Sequence, residues 1–227
     1  MKTAKSLLVM PILLIIISTL ALADKENSQL LMGNYDERII AAQKLGSGQF
    51  SDTLSAINSL IEALAKEIRQ PLSLSREHYS GFTFSEELKE QYCLSIESLM
   101  KNRRQLIIAA LDSSAGELHD RLVLILAISG DDEMRLQARR IYEESQSGYL
   151  RYRAVLALEK YSDSLDVPIF EKALKDTFWV AEFIDPGNGG PINLRYPTRV
   201  EAASALTKLG FKIEWRGWDY SVIKKKE

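Results

Sequence analysis

Apolar positions along the chain recur three and four residues apart in stretches of about 10 to 18 residues, which is the period of an amphipathic helix. The stretches come in pairs. "DERIIAAQKLG" is followed, after "SGQFSD", by "TLSAINSLIEALAKEI", and "SEELKEQYCLSIESLMK" by "RRQLIIAALD". "ELHDRLVLILAISG" precedes "DEMRLQARRIYEES", "YLRYRAVLALEKYSDSLDVPIFEKALKD" holds a pair of its own, and "YPTRVEAASALTKLG" runs into "FKIEWRGWDY". These patterns predict helical hairpins near 30–68, 85–112, 116–145, 148–176 and 196–214. Sustained period-two alternation is not evident, and no Asn-Gly joins β-branched runs, so the expected class is all-α. Asp36, Ser85 and Asp163 stand where helices begin, with Glu86 and Glu87 giving the second pair an acidic first turn. Pro168 fits a first turn, and Gly46, Gly130 and Gly210 fit helix ends.

The pairs also overlay. Arg151, Ala154, Val155, Ala157 and Leu158 are matched by Arg199, Ala202, Ala203, Ala205 and Leu206, and by His119, Leu122, Val123, Ile125 and Leu126. Small residues at the shared positions let neighbouring helices approach closely. A repeat of helix pairs at a period of about 30 to 47 residues is the mark of an α-solenoid, whose stacking unit is the hairpin. The expectation is a short right-handed solenoid of about four to five hairpins.

The stretch R-x-x-A-V-x-A-L, then Asp163, then V-P-x-F-x-x-A-L-x-D from Arg151 to Asp176 resembles a HEAT repeat, as does "RVEAASALTKLG" from Arg199. "DERIIAAQKLG" with "AINSLIEAL" is similar, with a longer turn; residues 85–112 match the pattern weakly. The resemblance implies a ladder between turn aspartates and first-helix arginines, falling here on Asp131, Asp163, Arg151 and Arg199, with His119 departing from the arginine. It also implies protein binding, without naming a target.

The amino terminus changes the picture. Lys2 and Lys5, the apolar run "SLLVMPILLIIISTL" and the small residues Ala21 and Ala23 form a signal peptide over 1–23, with cleavage expected after Ala23. The alternative is an uncleaved membrane anchor, since residues 6–23 approach the length that spans a bilayer. The mature domain would cover 24–227, with no later membrane insertion. Removing two lysines leaves 27 basic against 31 acidic residues, a formal charge of −4, and no electrostatic reason to expect nucleic acid. Cys93 is the single cysteine, so no internal disulfide is available. With no Asn-x-Ser/Thr acceptor, the chain reads as a bacterial periplasmic or extracellular protein.

Candidate binding residues fall in two places. Residues 177–196 interrupt the repeat as an inserted loop, where Trp179, Phe183 and Tyr196 serve either as aromatic anchors or as a cover over the repeat flank. Asp185 and Asn188 offer too few oxygen ligands for calcium, and no metal or cofactor is expected. Arg135, Arg139 and Arg140 on a second helix form either a partner-binding stripe or a solvated face paired with Glu143 and Glu144. Trp215, Trp218 and Tyr220 near the carboxyl end suit a terminal cap or a patch, and "KKKE" a solvated tail. His78 and His119 lack helical metal-site partners, and no nucleophile elbow, phosphate loop or dinucleotide fingerprint occurs. The reading is therefore a non-enzymatic scaffold for a protein or peptide. The alternatives are an enzyme or enzyme subunit on a HEAT-like solenoid, of lyase or glycosylase type, and a self-assembling envelope element.

Overall fold

The computed structural model describes residues 25–48, 52–71, 83–100, 103–183, 192–217 and 219–225. The expected leader at 1–23 lies outside them, as do His78, Asp185, Asn188 and Trp218. Among the described residues the chain is mostly helical, and no helix is long and apolar enough to cross a membrane. Helix α1 is described over 25–32. It is followed by α2 (Tyr35–Gly46), α3 (Thr53–Arg69), α4 (Phe84–Leu99) and α5 (Arg104–Asp112). Next come α6 (Gly116–Ile128), α7 (Asp132–Glu144), α8 (Gly148–Glu159) and, after a 3-10 turn at Ser164–Asp166, α9 (Val167–Ala173). Strands β1 (Val180–Phe183) and β2 (Ile192–Arg195) precede α10 (Pro197–Lys208), and β3 (Phe211–Arg216) and β4 (Asp219–Lys225) end the chain. By their contacts the described helices and strands fall into two compact units, the first holding α1 to α4 and α5 up to Ala110, the second running from Leu111 to β4.

In the first unit α4 lies against both α2 and α3. Its apolar stripe supplies Leu88, Tyr92, Cys93 and Ile96, all buried against Ala41, Ala42 and Leu45 of α2 and Ile57, Leu60 and Leu64 of α3. Gly46 matters for its lack of a side chain: a Cβ there would sit 2.8 Å from the Cβ of Ser95. That close approach lets the Ser98 hydroxyl donate to the Gly46 carbonyl at 2.6 Å. Behind it, Arg38 donates from Nε to the Gly33 carbonyl at 2.8 Å and from Nη1 to Glu67 at 3.1 Å, with the Glu67 side chain fully buried. Burial pushes the nearby Tyr92 hydroxyl up to about 12. Lys44 reaches Glu26 at 2.9 Å and Lys66 donates to the Leu31 carbonyl at 2.6 Å, tying α1 to the pair that follows it.

In the second unit α6 packs on α7, and α8 lies against α6, α7 and α10. The alanines that recur in the sequence sit at these contacts: Ala154 and Ala157 of α8 and Ala202 and Ala205 of α10 are fully buried. Polar ties link the successive helices. Lys160 donates to the Ile128 carbonyl at 2.6 Å, and Ser204 donates to Glu159 at 2.9 Å beside a Lys208–Glu159 ion pair. Arg121 of α6, almost wholly buried, bonds Glu117 at 2.8 Å and stacks over the Tyr149 ring of α8 at 4.6 Å.

Several boundaries differ from the sequence expectation. Asn34, not Asp36, caps α2: its side chain accepts from Glu37 N at 3.0 Å while Glu37 Oε2 accepts from Asn34 N at 2.8 Å, a reciprocal capping box. Ser85 lies inside α4 and is buried. Gly46 is the last residue of α2, and the left-handed residue beyond that helix is Gly48, with φ +70°. The fifth hairpin expected at 196–214 has one helix only. After Gly210 (φ +86°) the chain turns into β3, because F-K-I-E-W-R alternates apolar and polar residues at period two. It pairs antiparallel with β4, Trp215 opposite Tyr220 and Ile213 opposite Val222, so Lys224 and Lys225 belong to a strand and not to a free tail. The inserted segment also holds a small ladder, β1 with β2, in the register Val180↔Arg195 to Phe183↔Ile192.

Candidate functional site

Helices α7 and α9 are the second members of their pairs, and the residues between them build the site. On α7, Met134, Ala138 and Ile141 point inward and are buried. On α9, Ile169, Phe170 and Ala173 do the same, leaving Glu171 and Lys172 at the surface, with exposed Lys175 in the turn just beyond the helix. An open groove of about 630 Å³ runs between the two helices, lined by Tyr142, Glu143, Arg151, Pro168, Glu171, Lys172, Lys175, Asp176 and Thr177.

The groove floor is a fixed ion pair. Arg151 engages Asp176 through two bonds, Nε to Oδ2 at 2.7 Å and Nη2 to Oδ1 at 3.2 Å, a fork geometry that arginine alone provides. Its Nη1 also donates to the Gln146 carbonyl at 3.1 Å. Asp176 Oδ1 accepts from Phe178 N at 2.8 Å, and the Asp176 carbonyl accepts from Arg199 at 2.6 Å. Tyr142 forms one wall with Lys172 over its ring at 5.6 Å. Burial, reinforced by the Asp176 carboxylate, pushes the Tyr142 hydroxyl up to about 12, so it stays a neutral donor at any physiological pH. The rim carries both signs of charge on exposed side chains: Glu143 and Glu171 against Lys172 and Lys175.

Arg135 and Arg139, one helical turn apart, point away from that groove into a network with the following turn. Arg135 bonds Asp163 at 2.9 Å and lies 3.6 Å from Asp166; Arg139 bonds Asp166, whose side chain is fully buried. Arg140 is exposed, 3.8 Å from Glu144. The rungs between pairs thus run from second-helix arginines to turn aspartates. Asp131 caps α7, accepting from Met134 N at 3.2 Å, while Arg151 holds Asp176 and Arg199 reaches Asp219 at 3.4 Å. Among the aromatic candidates, Trp179 is partly exposed after α9, Tyr196 lies half-buried with Arg199 over its ring at 4.1 Å, and Phe183 ends β1. Tyr142, Glu171, Lys172 and Lys175 carry no spacing signal that marks them in the sequence, although α9 is a second helix of its pair just as α7 is.

Asp163 has its acidity increased, chiefly by the Leu165 N–H donating to Oδ1 at 2.9 Å and then by Arg135. Its folded pKa lies below its unfolded one, so its stabilising effect is complete above the ordinary carboxylate range, near 3.9, and is lost as pH falls through the lower folded value. Asp163→Asn retains an acceptor for Leu165 but not the charge. The variant is expected to lose stability near neutral pH and to show a flatter acid limb in urea-unfolding curves below about pH 4. An acid limb as steep as that of the parent would remove Asp163 from the set of acid-sensitive groups.

The described geometry defines a mostly helical protein with an open, mixed-charge groove. The chain matches no protein-family model, no curated protein sequence and no solved structure.

Proposed function

We propose that the chain is an exported, non-enzymatic scaffold of the HEAT-like α-solenoid kind, and that it holds a protein or peptide segment between α7 and α9. The groove is the observation that carries this reading: it is open and lined along its rim by exposed charges from α7, α9 and the turn after α9. Successive contacts of α6, α8 and α10 support the repeat reading, because they place first helices side by side as stacked hairpins require. Mixed charge on the rim suits an extended polypeptide whose side chains alternate in sign, with selectivity coming from matched pairs. The bound Arg151–Asp176 floor gives that surface a rigid base.

Photo-crosslinking tests the assignment. A crosslinking residue at Glu171 is expected to capture a partner polypeptide from envelope extract, and one at exposed Leu136 is not. Reversing Lys172 and Lys175 to glutamate is expected to lower capture on the order of tenfold, the size of effect two matched rim pairs produce. Equal capture from both positions, or capture indifferent to the reversal, would remove the groove from the reading.

A further inference from the structure

Tyr142 brings an unused polar group to the groove floor. The residue is 3% exposed, and no described residue bonds its hydroxyl, which opens into the groove. Its neighbours are committed already. Arg151 Nε and Nη2 hold the two oxygens of Asp176, Arg151 Nη1 faces the carbonyls of Ser145 and Gln146, and Asp176 Oδ1 takes Phe178 N. In the free protein the hydroxyl has only water to bond, so a ligand that covers the floor must supply a partner or leave it orphaned.

The surroundings select the chemistry of that partner. An anion at the hydroxyl would face the Asp176 carboxylate, and a cation would face Arg151 and Lys172, whose ammonium lies 5.6 Å from the centre of the Tyr142 ring. A neutral amide meets neither repulsion, and the phenol, which stays protonated at physiological pH, can donate to its carbonyl.

The walls select its shape. On the α7 side the exposed charge is Glu143; on the α9 side Lys172 and Lys175 stand against Glu171, two minus one or +1. An extended chain lying on its edge sends successive side chains to opposite walls and turns its main-chain amides to floor and solvent. An α-helix spends its amides on its own hydrogen bonds and keeps its backbone behind side chains, so it would leave the Tyr142 hydroxyl unanswered.

We propose, resting on the groove as the binding surface, that the bound polypeptide is extended and that the Tyr142 hydroxyl donates to one of its main-chain carbonyls. Acidic side chains of that segment point to the α9 wall and basic ones to the α7 wall.

The probe is a short capped peptide that alternates Glu and Lys, fluorescently labelled and titrated with the full chain at low salt. Tyr142→Phe keeps the ring and removes the hydroxyl. It is expected to weaken binding on the order of fivefold, while the urea midpoint stays that of the parent, because no described residue bonds that hydroxyl. Two ester forms of the probe, one with every Glu–Lys amide replaced and one with every Lys–Glu amide replaced, weaken its carbonyls in alternate positions. One of the two is expected to lose on the order of fivefold against the parent chain, and neither to lose further against Tyr142→Phe. A capped peptide of Glu-Ala-Ala-Ala-Lys repeats, which is predominantly helical, is expected to bind on the order of tenfold more weakly. Equal binding of the probe by the parent and Tyr142→Phe, two ester forms that behave alike, or equal binding of the helical peptide would each overturn the contact. Binding that responds to Lys172→Glu with Lys175→Glu but not to Tyr142→Phe removes the amide contact alone. Binding indifferent to that reversal, or no binding of the probe at all, removes the groove as well.

Discussion

Replacing Arg38 by leucine is expected to destabilise the first unit by about 3 kcal/mol, because it takes the guanidinium away from a fully buried carboxylate. Glu67 is completely enclosed and Arg38 is 12% exposed, so water cannot take over the role of the guanidinium. The loss also frees the Gly33 carbonyl, which Arg38 Nε satisfies at 2.8 Å in the turn between α1 and α2. Replacing both partners with leucine removes that carboxylate too, and the double variant is expected to be clearly more stable than Arg38→Leu alone. Urea unfolding of Arg38→Leu, Glu67→Leu and the double variant decides it. Additive losses across the pair would mean that Arg38 and Glu67 act independently.

Phe170→Ala is expected to cost about 3–5 kcal/mol, the range for removing a whole aromatic side chain from a closed core. Phe170 is fully buried on a helix of only 7 residues, too short to hold its shape without the packing that ring supplies. Phe170→Leu keeps most of the volume and is expected to cost far less, about 1.5 kcal/mol or below. Thermal and urea unfolding measure both. A loss under about 1 kcal/mol for the alanine variant would show that α9 collapses onto the vacated space, and would undercut the rigid groove wall.

The helical part of the second unit was legible because one set of residues had to satisfy two demands together. Ala154, Ala157 and Leu158 repeat at Ala202, Ala205 and Leu206, and all of them are fully buried. Spacing within a helix is a local property, so one sequence suffices to read it. The strands were harder for a physical reason. "FKIEWR" follows a clean helix end and is short, so a repeat template carries the helix through it although its own alternation says strand. The arginine network shows the same divide between local and distant order. Spacing puts Arg135 and Arg139 on one face, but their partners Asp163 and Asp166 lie 28 and 27 residues away. The groove is less legible still, since it arises from the faces of helices separated by a third one, and no motif marks such a space.

Asp176 has a consequence for how this chain can change. Its carboxylate clasps Arg151 and receives Phe178 N, while its carbonyl receives Arg199. The carbonyl would survive any substitution, but the carboxylate answers at once to a helix before it and to the approach to a strand after it. Drift of that side chain is blocked unless both places shift in the same step, so descendants of this sequence should vary freely along the rim while inheriting residue 176 unaltered.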